Sequence, residues 1–428
     1  MFNFKFRKTM RSVQWSFISL ATAAFSHMLL RMILGRTLGP SGLGVYSLVF
    51  TIYLFGMQFA GFGIGSGLTR YVAEFKDEDH KVKEYVSSGF FGTLINGLIV
   101  TVALYLVSDF IARSVFHNVE MGKLIKITAF CLPFISIQKM VLGTLNGLHR
   151  MKSYAIITII QNGLVLFLSV YFVLVLNTEV KGAILGLVIS TIITGLISIV
   201  FIKEFISAFS FSFSKAFKDL IWYGYYTVLA DSIGMVNTQI DSLMLGHFLN
   251  AEIVGYYAVA IIFVNGLALI PNSVHIAVAP YIAYFYGKGE YEKTAKFIKK
   301  IILYMAILII FISILLIFFG KTLIIFLFKK EFLLAYFPLL ILLIGKIIYL
   351  PIHAVDCAIP NIGKVNIMYK IALSTAIFNV IFNIILIPKY EIMGAALATS
   401  ISLIILSLLK LYIIDKYIFK FRDVGEKI

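Results

Sequence analysis

The sequence predicts an all-α polytopic membrane protein, with twelve transmembrane helices in two pseudo-symmetric six-helix lobes around a central cavity. Three observations lead there. Of its 428 residues, 60% are hydrophobic and 14% charged, whereas a soluble domain is about 25% charged, and the mean hydropathy is +0.96. Apolar runs near the ~20 residues that a membrane-spanning helix needs recur along the whole chain. The connections between them are short, so no sizeable domain outside the membrane is expected. Disordered, collagen-like and disulfide-scaffold chains are excluded by the same composition.

Breaking the runs at Gly, Pro and charge clusters gives the spans in order. The first, 12–35, follows a basic cluster and continues to Leu34, too long for a cleaved signal peptide. The second, 44–68, ends on Gly61, Gly63, Gly65 and Gly67. Nothing around these glycines reads as the strand-turn-helix of a nucleotide loop, so close packing or a local break is expected. Spans at 86–108, 123–147, 154–177 and 182–206 complete a first lobe, 1–206. Spans at 221–245, 254–277, 297–320, 332–356, 366–388 and 392–414 complete a second, 207–428. Two segments recur at an offset of about 211 residues, the mark of a duplication. Leu34-Gly35-Arg36-Thr37-Leu38 returns as Leu245-Gly246-His247-Phe248-Leu249, and Glu179-Val180-Lys181-Gly182-Ala183 as Glu391-Ile392-Met393-Gly394-Ala395. An even number of spans per half gives the halves one orientation, an arrangement found in transporters.

The net charge of +16 would suggest nucleic acid in a soluble protein. Here Lys and Arg outside the spans favour the N-terminal side by about three to one, which places both termini in the cytoplasm of a cell-membrane protein and predicts no nucleic-acid partner. Lys410 is counted among these loop charges. Cys131 and Cys357 fall near opposite membrane faces and are expected to be free thiols.

Candidate functional residues are the polar ones that hydrocarbon should reject. In the seventh span Asp231, Gly234, Asn237, Thr238, Asp241 and Ser242 share one helical face. A carboxylate at the bilayer centre costs roughly 2.5–3.5 kcal/mol even on a lenient scale, so such a face points to water or to a partner. The duplication maps this stripe onto Ser26, His27 and Arg31 of the first span. Lys139 and Lys346 lie mid-span, where pairing with Asp356 or Asp241 and contact with substrate are equal alternatives. Gln58, Asn265 and Asn272 fit the cavity walls; His275 reads first as a packed core residue. No Walker motif, metal-ligand cluster or nucleophile elbow is present, so neither an enzyme nor a cofactor is expected beyond a coupling H⁺ or Na⁺.

The run Gly35-Arg36-Thr37-Leu38-Gly39-Pro40-Ser41-Gly42-Leu43-Gly44-Val45-Tyr46-Ser47 resembles the signature of polysaccharide and oligosaccharide-lipid flippases, a branch of the multidrug/oligosaccharidyl-lipid/polysaccharide exporter superfamily. Asp241-Ser242-Leu243-Met244-Leu245-Gly246, Val254-Gly255-Tyr256-Tyr257-Ala258-Val259-Ala260, and Pro388 with Gly394-Ala395-Ala396 are similar to later helices of that branch. The resemblance implies a lipid-linked sugar as substrate, moved from the inner to the outer leaflet by alternating access. It also suggests functional association with glycosyltransferases or a polymerase. A cation-coupled drug or metabolite antiporter is the alternative, and an integral glycan polymerase or ligase a distant third.

Overall fold

The structure, a computed structural model, describes residues 2–206 and 215–419, with side chains from residue 14 onward. Its helices are α1 (Phe2–Gly61), α2 (Ile64–Glu74), α3 (Asp79–Phe110), α4 (Val119–Ala129), α5 (Leu132–Gly147), α6 (Met151–Leu174) and α7 (Glu179–Val200). There follow α8 (Lys215–Phe248), α9 (Ala251–Gly287), α10 (Tyr291–Phe328), α11 (Tyr336–His353), the short α12 (Ala358–Asn361) and α13 (Val365–Ile414). Among the described residues no strand occurs.

Eight helices are long and apolar enough to cross a membrane, or nine when α4 and α5, bent by 45°, count as one broken span. Two of the eight are far too long for one crossing. α1 has 60 residues, about 90 Å if straight against ~30 Å of hydrocarbon. It is broken at Gly39 (φ 67°, ψ −171°), followed by Pro40; glycine tolerates the left-handed φ, and a proline opening a helix loses only an N–H that would have no partner there. The expected loop at 36–43 thus contracts to a single residue. α13 breaks in the same way at Glu391 (φ 51°), after Pro388. Glu179, its counterpart in the sequence repeat, also has a left-handed φ of 49° and opens α7. A non-glycine residue at φ > 0 is uncommon, so its recurrence at duplicated positions supports the duplication.

The chain forms two compact units, Met1–Ser232 and Ile233–Ile428, whose boundary falls inside α8. The boundary expected at 206/207 adjoins residues 207–214, which lie outside those described. The first unit is centred on Ile64, Leu68, Val86, Met140, Val141 and Leu220; the second has a core of Ile282, Ile298, Val355, Ile359 and Ile414. Many large apolar side chains point outward, among them Leu106 (73%) and Phe318 (75%). Water would reject that surface and lipid accepts it: the chain is a multi-pass helical membrane protein.

Candidate functional site

In the first unit, the end of α1 shapes a polar pocket. The helix stops at Gly61, and Phe62 and Gly63 take left-handed conformations. The carbonyls freed by the break are satisfied by Asn96 of α3, whose Nδ2 donates to Phe59 O at 2.7 Å and Ala60 O at 2.9 Å. This capping fixes Gln58 one turn earlier, and its Nε2 donates to Asp231 Oδ2 at 3.0 Å. α2 then crosses α5 by backbone contact. A Cβ added to Gly65 would lie 2.6 Å from Lys139 O, and one on Gly143 would collide with the Gly65 backbone. Thr69 Oγ1 seals the crossing with a 3.0 Å hydrogen bond to Gly143 O.

The result is a cavity of about 320 Å³ whose walls include Gln58, Ser66, Thr69, Lys139, Asn146, Tyr154 and Asp231. Lys139 lies within electrostatic reach of Asp231. One ammonium, one carboxylate, two amides and three hydroxyls thus face a common space, a donor and acceptor set suited to a polyhydroxylated or phosphorylated group. Three residues expected to contribute, Gln58, Lys139 and Asp231, are brought together here.

The other candidates occupy different settings. His27 and Arg31 gather on the Phe50 ring across the Gly39 break, at 5.5 Å and 5.7 Å from its centroid, with Ser26 buried beside them. In the second unit Asn237 Nδ2 donates to Ala372 O at 3.3 Å, and Asn265 is exposed.

Asp241, on the face expected to meet water or a partner, meets partners: it is 3% exposed and enclosed by its own unit. Tyr257 donates to its Oδ2 at 2.7 Å, Thr399 donates to the same oxygen, and Asn383 Nδ2 donates to Oδ1 at 2.8 Å. Asn383 Nδ2 also lies 3.2 Å from Asn379 Oδ1, and Lys346 lies within electrostatic reach of Asp241. Asn379, Asn383 and Thr399 are not among the residues the sequence singled out. The usable signal was the i, i+4 spacing of two asparagines in an apolar helix, which sets both amides on one face.

Asp356 pairs with neither mid-span lysine. Its partner is Lys410, 2.5 Å away and itself 4% exposed, so Lys410 is a buried ion-pair residue and not a loop charge. His275, expected as a packed core residue, lies 3.0 Å from Asp356, and Asn272, expected on a cavity wall, lies 2.9 Å from His353. Among the described residues no group of three His, Cys, Asp or Glu side chains could hold a metal ion.

An all-helical membrane fold with polar clusters enclosed inside apolar helices is an arrangement found in transporters. The model of the polysaccharide biosynthesis protein family matches residues 10–286, and that of the MatE family matches residues 228–385. The chain belongs to the polysaccharide biosynthesis protein family, within the exporter superfamily that its first loop resembles. It is 28% identical, over 96% of its length and 84% of the relative's, to an uncharacterized membrane protein of Methanocaldococcus jannaschii. It is 22% identical to a probable low-salt glycan biosynthesis flippase of Haloferax volcanii, over 49% of this chain and 45% of that one. In fold it is similar to the inward closed lipid II flippase MurJ, with a TM-score of 0.79 at 19% identity, covering 94% of this chain and 87% of the other.

Proposed function

We propose that the chain is a flippase that carries lipid-linked oligosaccharide or polysaccharide repeat units from the inner to the outer leaflet by alternating access. The pocket of Gln58, Lys139 and Asp231 is the observation that carries this reading. Sugar hydroxyls and a phosphate cannot enter hydrocarbon without losing their hydration, at several kcal/mol per unpaired polar group. A cavity lined by amides, hydroxyls and an ammonium replaces that hydration, while the lipid tail stays in the bilayer. Lys139 and Arg31 supply positive charge for the phosphate; Gln58, Asn146 and Asp231 bind sugar hydroxyls. In this reading α1 and α13 each cross twice at their breaks and α8 crosses once, which gives twelve crossings in two lobes with both termini cytoplasmic. Glycosyltransferases or a polymerase act before and after it.

The MatE match over residues 228–385 favours a second reading, a cation-coupled antiporter. Either reading can use a coupling ion, and the Asp241 cluster suits one. Its Asp, Asn and Thr oxygens are hard donors, and Asn383 Oδ1 is buried without a hydrogen-bond partner among the described residues. Na⁺ bound there would neutralise the carboxylate and occupy that amide oxygen; H⁺ is the alternative.

The deciding experiment is reconstitution of purified protein in vesicles with fluorescent lipid-linked sugars, read by accessibility to a membrane-impermeant quencher. Wild type should flip them, and Lys139→Ala, Asp231→Asn and Arg31→Ala should abolish flipping while reaching the membrane at normal levels. Efflux of cationic drugs with no sugar flipping would establish the antiporter instead.

A further inference from the structure

The proposed function leaves one buried polar cluster unused, where α9, α11, α12 and α13 of the second unit meet. Asp356, 3% exposed, receives His275 Nε2 on Oδ1 at 3.0 Å, and His353 Nδ1 and Lys410 Nζ on Oδ2 at 3.1 Å and 2.5 Å. The second ring nitrogen of His353, Nε2, lies 2.9 Å from Asn272 Oδ1. The His353 ring is stacked between His275, at 5.3 Å, and Tyr349, at 5.2 Å. The titratable groups facing the cluster are therefore His275 from α9, Tyr349 and His353 from α11, Cys357 at the start of α12 and Lys410 from α13, with the Lys346 ammonium of α11 on the Tyr349 ring at 5.5 Å.

A neutral imidazole has one N–H and one acceptor nitrogen. Both nitrogens of His353 face acceptor oxygens, and only the imidazolium donates to both. Lys410 already balances the Asp356 carboxylate, so that proton leaves a surplus positive charge in a low-dielectric setting. Hydrogen bonding asks for the proton and charge balance rejects it, which is the condition for a group that exchanges protons. The histidine side chains, 33% and 23% exposed, are not sealed inside the protein as Asp356 is.

We propose that this cluster is a proton-binding site in which His353 carries the exchangeable proton and, when protonated, ties α9 to α11. On release an N–H bond breaks, the proton passes to water and the electron pair stays on nitrogen, where it faces an oxygen and repels it. The α9 residues concerned, Asn272 and His275, lie between Pro271 and Pro280, which both lack the amide proton of a normal helical hydrogen bond. The two missing bonds, to the carbonyls of Leu267 and Ile276, put a weak point near each end of that segment, so loss of the tie lets it move. Use of this motion in transport rests on the transporter reading; the proton site itself does not.

The test uses the purified full chain in lipid nanodiscs without substrate. Nitrogen NMR of labelled histidines from about pH 5 to pH 8, the range in which imidazoles exchange protons, should show a doubly protonated ring that loses one proton. That signal should be missing from His353→Gln. A nitroxide on Ser273→Cys, specific because Cys131 and Cys357 are buried, should be restrained at low pH and freer at high pH. Asn272→Ala, which keeps His353 but removes its second acceptor, should free the label at every pH. A His353 ring that stays in one neutral form throughout, or a label indifferent to pH with His353 and Asn272 intact, would overturn the site. Failed sugar flipping with intact titration would count only against the flippase reading.

Discussion

The two units contain the same helix crossing built in opposite ways. In the first, α2 meets α5 through Gly65 and Gly143, backbone on backbone. An offset of about 211 residues carries those glycines to within a few positions of His275 and Asp356, where α9 approaches the end of α11 through a charge network. Glycine lets the backbones touch and leaves space beside them, and the polar cavity of the first unit is bordered by these same residues. At the second crossing long side chains meet and the polar groups bind one another. A duplicated scaffold can thus offer polar groups to a ligand in one copy and spend them on internal pairing in the other.

The largest test of this contrast is Asp356→Ala. It strands the Lys410 ammonium without its partner and should lower stability by about 3–5 kcal/mol, whereas adding Lys410→Met should recover most of the loss. Thermal unfolding in detergent reads both; equal losses in the single and double variants would refute an internally paired cluster. Next comes Gly143→Ala, which forces α2 and α5 apart and should cost about 1–3 kcal/mol by overpacking. Gly163→Ala is its control: nothing lies within 4 Å of a Cβ at that helical position, so the change should be neutral or stabilising by up to about 1 kcal/mol.

A smaller stability effect, about 1 kcal/mol or less, is expected for Gln58→Ala, because Asp231 can turn to water. Flipping should nevertheless be lost, and a variant that keeps full flipping would show that the first unit's pocket is not the sugar site. Smallest of all should be Lys126→Ala. Its pair with Asp109, at 2.7 Å on a largely exposed surface, is worth about 0–1 kcal/mol.

Much of this contrast could be read in advance. Apolar runs broken at Gly, Pro and charge clusters pointed to a multi-span helical chain, because hydrocarbon imposes a length on every helix, whereas the left-handed turns at Glu179 and Glu391 appear only in the structure. Gln58, Lys139 and Asp231 stood out since each is costly in lipid. Lys410 did not: a lysine near the end of the last apolar run looks the same whether it faces water or a buried carboxylate 54 residues away in sequence. The Asp241 partners were hidden for another reason. Asn379, Asn383, Thr399 and Tyr257 are isolated polar side chains on helices that remain apolar by composition, and only tertiary packing gathers them around one carboxylate. The pairing of Asp231 with Gln58, 173 residues away in sequence, likewise depends on how helices pack and leaves no local pattern.

The break at Glu391 has a consequence for how the chain is made. Helical arms on either side of it leave the ribosome in succession, with no loop between them for separate handling. The first arm carries Asn379 and Asn383, the second Thr399, and Asn379 Nδ2 donates to Thr399 Oγ1 at 3.5 Å. An arm inserted alone would expose its amides to lipid, where a polar group without a partner is costly. On the proposed reading in which each arm crosses the bilayer, the pair should enter it together, as one hairpin, and a stop in synthesis between residues 391 and 399 would leave a segment that the membrane insertion machinery has reason to retain.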